Sequence, residues 1–253
     1  MTKVIAIANH KGGVGKTTTT ASLGVALARR GKNVLLIDLD AQTNLSSMFL
    51  SDEALEEAAV TMYEALTDGA ELPQIRVRER LSLSPASLDL AVAEIELSGR
   101  MAKESFLSAL IEPVRREYDF ILIDCPPALG ILTTNAFFAS DEVLIPLTAE
   151  ALPLKGVVRL EEAIAAVGKA NRRTTIGGIL ITRFNNRNLN KDVEAAIRQH
   201  FGAKVFATRI RENIAVAEAP NYGTDIFDYD SNSAGAKDYE ALADEVIARY
   251  SEK

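Results

Sequence analysis

The chain has 253 residues, 47% hydrophobic and 25% charged, with a formal net charge of −7. This is ordinary globular composition with length for one large domain, and it excludes a disordered or fibrous chain. No stretch reaches the roughly 18 consecutive apolar residues of a membrane span, and the single cysteine, Cys125, excludes an intramolecular disulfide.

The first element is a short apolar run, Val4 to Ala8, that leads directly into Lys11-Gly12-Gly13-Val14-Gly15-Lys16-Thr17-Thr18. Lys3 is followed by only five apolar residues before Asn9-His10-Lys11, unlike a secretory signal, and a cytoplasmic location is the expectation. A buried strand, a glycine-rich loop and the start of a helix over 17–31, closed by Gly31, follow in the order a polyphosphate cradle requires. Glycines let successive N–H groups turn inward, and the helix aims its positive dipole end at the same point. Lys16 can reach the β- and γ-phosphates, and the Thr17 hydroxyl can ligate Mg²⁺. In the usual G-x-x-x-x-G-K-[ST] spacing a glycine stands six residues before the lysine; here Gly12 stands four before Lys16, with Lys11 in front of it.

Further strands are predicted over 34–38, 81–84, 120–124, 142–147, 176–182 and 205–210, with helices over 52–67, 87–95, 99–117, 153–170, 187–201 and 233–250. Val34-Leu35-Leu36-Ile37 and Phe120-Ile121-Leu122-Ile123 are apolar at consecutive positions, as in strands buried on both faces. The alternation predicts an α/β fold: a mostly parallel twisted sheet with helices on both faces, of the P-loop NTPase type. Without a linker, repeat or composition break, residues 1–253 are expected to form a single domain. Two strands end in aspartate, giving Asp38-Leu39-Asp40 and Asp124-Cys125-Pro126-Pro127. Carboxylates at strand ends beside a phosphate loop can hold Mg²⁺ or orient an attacking water.

Charge is uneven along the chain. Residues 51–71 hold seven acids and no base. Residues 171–211 hold nine bases (Arg172, Arg173, Arg183, Arg187, Lys191, Arg198, Lys204, Arg209 and Arg211) against Asp192 and Glu194, a local charge of +7. Such blocks can present oppositely charged faces to different partners.

The octet K-G-G-x-G-K-T-T resembles the deviant Walker A box of the ParA/MinD class of ATPases. LLIDLDAQTNLSS resembles the Walker A′ and switch I segment of ParA/Soj proteins, and FILIDCPPALG their Walker B and switch II segment. Glu218-Ala219-Pro220-Asn221-Tyr222-Gly223 and the run from Tyr229-Asp230 through Ser233, Gly235-Ala236 and Tyr239 resemble the family's C-terminal motifs. The resemblance spans nearly the whole chain and implies a slow, Mg²⁺-dependent ATPase with ATP and Mg²⁺ as cofactors. Gly12, Gly13, Val14, Gly15, Lys16, Thr17 and Thr18 would bind nucleotide, with Lys11 reaching the nucleotide of a partner subunit across a homodimer. Lys11, Lys16 and Asp40 would be catalytic, Asp40 by positioning the hydrolytic water. Thr17, Asp38 and Asp124 would serve the metal, Asn213 would line the adenine, and Arg211 stands beside it where the family usually has proline. The implied partners are a second copy of the chain, a ParB-like adaptor and non-specific DNA, in the partition of a plasmid or chromosome.

The chain departs from the family at Ala41, in place of proline, and at Glu212 and Ala215, in place of two arginines associated with DNA binding. Lys191 and Arg198, seven residues apart on one helical face, are the candidate replacements. The alternative expectation is a ParA-like ATPase that positions a protein cargo with weak or no DNA binding; a P-loop amidating synthetase is a further rival. His10, His200 and Cys125 carry no catalytic role in this reading. The last helix has more acid than base and is expected to pack on the body rather than hold a membrane.

Overall fold

The computed structural model describes residues 1–149, 154–171 and 174–251, with the side chains of 154–156, 171 and 251 excepted. Eight strands form one sheet: β1 (Lys3–Ile7), β2 (Val34–Asp38), β3 (Ile75–Arg78), β4 (Leu81–Ser84), β5 (Phe120–Asp124), β6 (Glu142–Thr148), β7 (Thr175–Phe184) and β8 (Val205–Arg211). Their order is β3-β4-β2-β5-β1-β6-β7-β8, and every pairing is parallel except the β3–β4 edge. The helices are α1 (Lys16–Arg29), α2 (Asp52–Glu56), α3 (Met62–Thr67), α4 (Leu90–Ser98), α5 (Phe106–Ile111), α6 (Ile131–Ala139), α7 (Leu154–Asn171), α8 (Asn188–Phe201), α9 (Ile214–Glu218), α10 (Ile226–Asp230) and α11 (Ala234–Ser251).

Alternation along the strands builds two cores. Val4 and Ala6 face a layer containing Leu90 of α4, Leu132 and Phe137 of α6, Leu160 of α7 and Ile197 of α8. Ile5 and Ile7 face the opposite layer, made by α1 and by Tyr239, Leu242 and Val246 of α11. The last helix therefore packs on the body, and no described helix is long and apolar enough to cross a membrane. Gly24 of α1 lies so close to β2 that a Cβ there would collide with Leu36. Gly31 takes φ +79° just beyond the end of α1, which closes the helix as its position suggests.

Several regions differ from the expected elements. The predicted helix over 52–67 is two helices, because Thr61 takes an extended conformation and starts α3 with a capping box on Glu64. The predicted helix over 99–117 shrinks to α5 between single turns; Ala102 has φ +52° and Pro113 cannot continue a helix. Strand β3 and helix α6 were not expected. β3 is a half-exposed edge rich in arginine, whereas α6 is mostly buried and its Thr133 and Asn135 side chains are bonded to the Ala128 and Lys103 carbonyls, so neither shows the usual periodicity.

Candidate nucleotide site

The loop between β1 and α1 is hung from the ends of two other strands. Asn9, 4% exposed, donates from Nδ2 to the Pro146 carbonyl at 2.7 Å and accepts the Lys11 N–H at 3.0 Å. Thr182 donates from Oγ1 to the Val14 carbonyl at 2.9 Å. Gly13 and Gly15 take φ +71° and +89°, a left-handed conformation that a side chain would strain. Helix α1 starts without a side-chain cap, so its first N–H groups can meet an anion. Lys16 is 8% exposed and bends back to donate to the Lys11 carbonyl at 3.4 Å. Lys11, by contrast, is exposed at the front of the loop beside Gly12.

Asp38 and Asp124 end β2 and β5 in direct register, and both are fully buried. Asp38 is committed to the loop that follows it: Oδ1 accepts the Asp40 N–H at 3.1 Å, while Oδ2 accepts the Ser46 N–H at 2.9 Å and hydroxyl at 2.7 Å. Burial outweighs these bonds and pushes its carboxyl up to about 6. Asp124 accepts the Thr20 hydroxyl on Oδ1 at 3.4 Å, and its Oδ2 is buried with no hydrogen-bond partner. Burial and the neighbouring Asp38 push this carboxyl well above its ordinary range, opposed by Thr17 and the Lys16 ammonium.

These residues fit Mg²⁺. An orphaned carboxylate oxygen beside the Thr17 hydroxyl offers hard oxygen ligands where a cation would relieve two adjacent buried acids. No cluster of three or more potential side-chain ligands exists among the described residues, as suits an ion that takes one or two protein oxygens and completes its shell with phosphate and water. Thr17 and Asp124 are the residues that would hold it. Asp38, with both oxygens engaged, instead fixes the loop carrying Asp40. Asp40 is half-buried, accepts the Gln42 N–H at 3.0 Å, and precedes a tight turn at Thr43 with φ +54°.

Beyond the phosphate loop lies a cavity of about 460 Å³, between Gly13–Gly15 and Thr18 on one side and Thr182, Ile210, Asn213 and Val216 on the other. The structure thus brings the end of β7 and the loop after β8 to the phosphate loop. Asn213 caps α9, accepting the Val216 N–H at 3.3 Å. Arg211 lines the same wall, but its guanidinium is held by Asp238 through contacts of 2.7–3.1 Å. Tyr239, also in the wall, is buried with its hydroxyl 3.2 Å from that of Thr19. It was legible only as part of the C-terminal motif, since nothing in an isolated tyrosine signals a pocket.

The basic block is resolved into paired and unpaired groups. Arg198 is an internal strut: Nε donates to Glu194 at 2.8 Å and a terminal nitrogen to the Phe206 carbonyl at 3.1 Å. Arg209 reaches the other oxygen of Glu194 at 2.8 Å and stacks on Phe184. The two candidate DNA residues thus differ in setting, Arg198 being paired with Glu194 within the fold and Lys191 being exposed. Lys191 and Arg187 are exposed near the start of α8, and neither makes a side-chain ion pair among the described residues. Arg187 was missed as a partner for Lys191, although their spacing of four was readable. Arg172 and Arg173 lie outside the described residues.

Known proteins give the same picture. A family model described as an AAA domain matches residues 2–176. The sporulation initiation inhibitor protein Soj of Bacillus subtilis is 43% identical, over 98% of this chain and 99% of that protein. The chromosome-partitioning ATPase Soj of Treponema pallidum is 41% identical, over 98% of each. Among solved structures, cobyrinic acid a,c-diamide synthase from Mycobacterium smegmatis, with bound ADP and magnesium, superposes with a TM-score of 0.86 at 32% identity, covering 99% of this chain and 96% of that one. The same protein is also known with a bound ATP analogue and magnesium.

Proposed function

This chain belongs to the ParA/Soj family of partition ATPases, with ATP and Mg²⁺ as its cofactors, and from that premise we propose that ATP works in it as an assembly switch. Two copies meet face to face with nucleotide between them, Lys11 of each reaching the phosphates of the other. The ATP-bound dimer holds non-specific DNA, and a ParB-like adaptor speeds hydrolysis and releases it. The observation that supports this most directly is at Gly12. A Cβ there would touch nothing within 4 Å, so its own chain gives no packing reason for a glycine. An exposed glycine beside an exposed lysine, at the mouth of a phosphate loop that already has Lys16, fits the close approach of a second subunit.

When bound, Mg²⁺ would supply charge neutralisation for the phosphates. The residues of the chain contribute positioning and electrostatics. Lys16 and the first N–H groups of α1 hold the phosphates, Thr17 and Asp124 hold the ion, and Asp40 orients the attacking water on a loop locked by Asp38 and Ser46.

Sedimentation with a non-hydrolysable ATP analogue tests the switch: wild-type protein should dimerise and Lys11→Ala should remain monomeric. Normal dimerisation of Lys11→Ala would remove the trans role. The second reading, a protein-cargo positioner with weak DNA binding, is favoured by one observation: Arg198, Arg209 and Arg211 are all closed on carboxylates. DNA binding by the ATP-bound protein at low salt separates the two. A synthetase role is disfavoured by the higher identity to the Soj proteins, 41–43% against 32%.

A further inference from the structure

Asp124 leads into a segment that runs from Cys125 to Gly130 and ends at the start of α6. It leaves β5 beside the phosphate loop, since the Cys125 N–H bonds the carbonyl of Ile7, the last residue of β1, at 3.2 Å. Pro127, Ala128 and Leu129 are exposed, and the Thr133 hydroxyl donates to the Ala128 carbonyl at 2.6 Å. At the far end of the segment α6 starts without a side-chain cap, so its first N–H groups and the positive end of its dipole are open. Glu94 of α4 sits at this point. A Cβ on Gly130 would collide with the Glu94 carboxylate, whose Oε1 is buried with no hydrogen-bond partner. Gly130 has φ −92°, which any residue can adopt, so glycine here serves space rather than backbone conformation.

We propose that Glu94 is a positioning residue for ATP hydrolysis: its carboxylate, set against the uncapped start of α6, holds the Cys125–Gly130 segment in place beside the phosphate loop. A buried carboxylate oxygen without a hydrogen bond is stabilised by a positive field, and the helix N-terminus supplies one. A leucine at this position would fill the same space without burying a charged atom, so the carboxylate points to charge rather than to packing. The segment joins two fixed ends, Asp124 in the sheet and α6 against it. A shift at Gly130 is taken up by the residues between them, and the first of these, Cys125, lies within the electrostatic reach of Lys16 and Asp40. Loosening the segment therefore disturbs the place where the terminal phosphate and the attacking water meet. This link to turnover rests on the reading of Asp40 and Asp124 above; the hold of Glu94 on the segment does not.

Steady-state turnover and amide hydrogen exchange of the full chain test this together. Glu94→Gln keeps the bulk and drops the charge. It should lower kcat about tenfold, leave the KM for ATP within about twofold, and speed exchange over 125–133 of the nucleotide-free protein but not in α1. Gly130→Ala should do the same by displacing the carboxylate. Glu94→Ala vacates that space, so adding Gly130→Ala to it should cost little further. Glu96→Gln, which changes an exposed acid on the same helix, should match wild type in both readouts. Wild-type kcat and exchange in Glu94→Gln would overturn the proposal, and so would faster exchange with wild-type kcat. Faster exchange throughout the chain with a raised KM would reduce Glu94 to a structural role and overturn it as well. Losses that multiply in the double variant would show that Glu94 and Gly130 act separately, with the same consequence. Asp124→Asn with normal turnover, alongside a slow Glu94→Gln, would defeat the ion-holding reading of Asp124 and leave Glu94 in place.

Discussion

Lys16 and Asp124 at the centre of the sheet, and Arg198 and Arg209 at its β7–β8 edge, are charged groups in very different company. At the centre, Asp124 keeps a buried oxygen without a hydrogen-bond partner, and Lys16 has, among the described residues, one side-chain hydrogen bond, to the Lys11 carbonyl. At the edge, Glu194 answers Arg198 and Arg209 together, and Asp238 answers Arg211. A fold with both patterns shows that a charge count along the chain says little about function until the pairs are known. Charges left unanswered mark where a ligand enters, and charges closed on each other fasten secondary structure.

The strongest way to break this contrast is at the centre. Lys16→Ala removes the loop cation that would answer the phosphates and should lower ATP affinity on the order of 10²–10³-fold, read by equilibrium binding of a fluorescent analogue. Asp40→Ala should keep that binding but cut turnover on the order of 10²–10³-fold, because the attacking water loses its orienting carboxylate. Near wild-type phosphate release from Asp40→Ala would take it out of the mechanism. Arg209→Ala, the matched change at the edge, should leave turnover within about twofold, since exposed ion pairs contribute about 0–1 kcal/mol.

The legible part of the molecule is the part where chemistry dictates residue order. Strand, glycine loop and helix from Val4 to Thr18 could be placed from sequence because a phosphate cradle needs that succession, and the two strand-end aspartates because parallel sheets put their ligands there. What escaped were features set by distant partners. Asp38 looks like Asp124 in sequence, but Ser46 and the Asp40 N–H occupy its oxygens. Arg198 looks like Lys191, yet Glu194 and the Phe206 carbonyl hold it. The Glu194–Arg198 spacing of four was visible, but the bond from Arg198 to the Phe206 carbonyl was not.

The two strand-end acids give a sharper contrast through pH. An acid whose folded pKa is raised binds its proton more tightly in the folded state, so its contribution to stability falls as pH rises. For Asp38 that fall runs from the ordinary carboxylate value of 3.8 to about 6; Asp124, pushed up in the same direction, adds to it. Asp124→Asn should therefore melt at higher temperature than wild type without nucleotide near neutral pH. A gain of about 2–4 °C is expected for each kcal/mol relieved, and it should shrink below pH 6. A thermal scan across pH, showing an equal gain at all values, would place the effect outside these two carboxylates.

The smallest effects belong to the edge, and they decide whether any of its cations act outward. Lys191 and Arg187 lie one turn apart near the start of α8 and have no carboxylate partner among the described residues. If ATP-bound protein holds DNA there, each should neutralise about one phosphate. The slope of log K against log salt is about −0.9 per phosphate, so removing both with alanine should flatten it by about 2 without changing ATP affinity. Arg198→Ala should do the opposite. Its charge already faces Glu194, so the salt slope should stay, while loss of its bonds to Glu194 and the Phe206 carbonyl should lower stability by about 0.5–1 kcal/mol. Loss of Arg198 also frees half of Glu194, still bound to Arg209 at 2.8 Å, and adds local negative charge that can only weaken DNA binding slightly. A salt slope that flattens with Arg198→Ala as much as with Lys191→Ala would show that the Glu194 pair opens on DNA, and the division between open centre and closed edge would then fail at this helix.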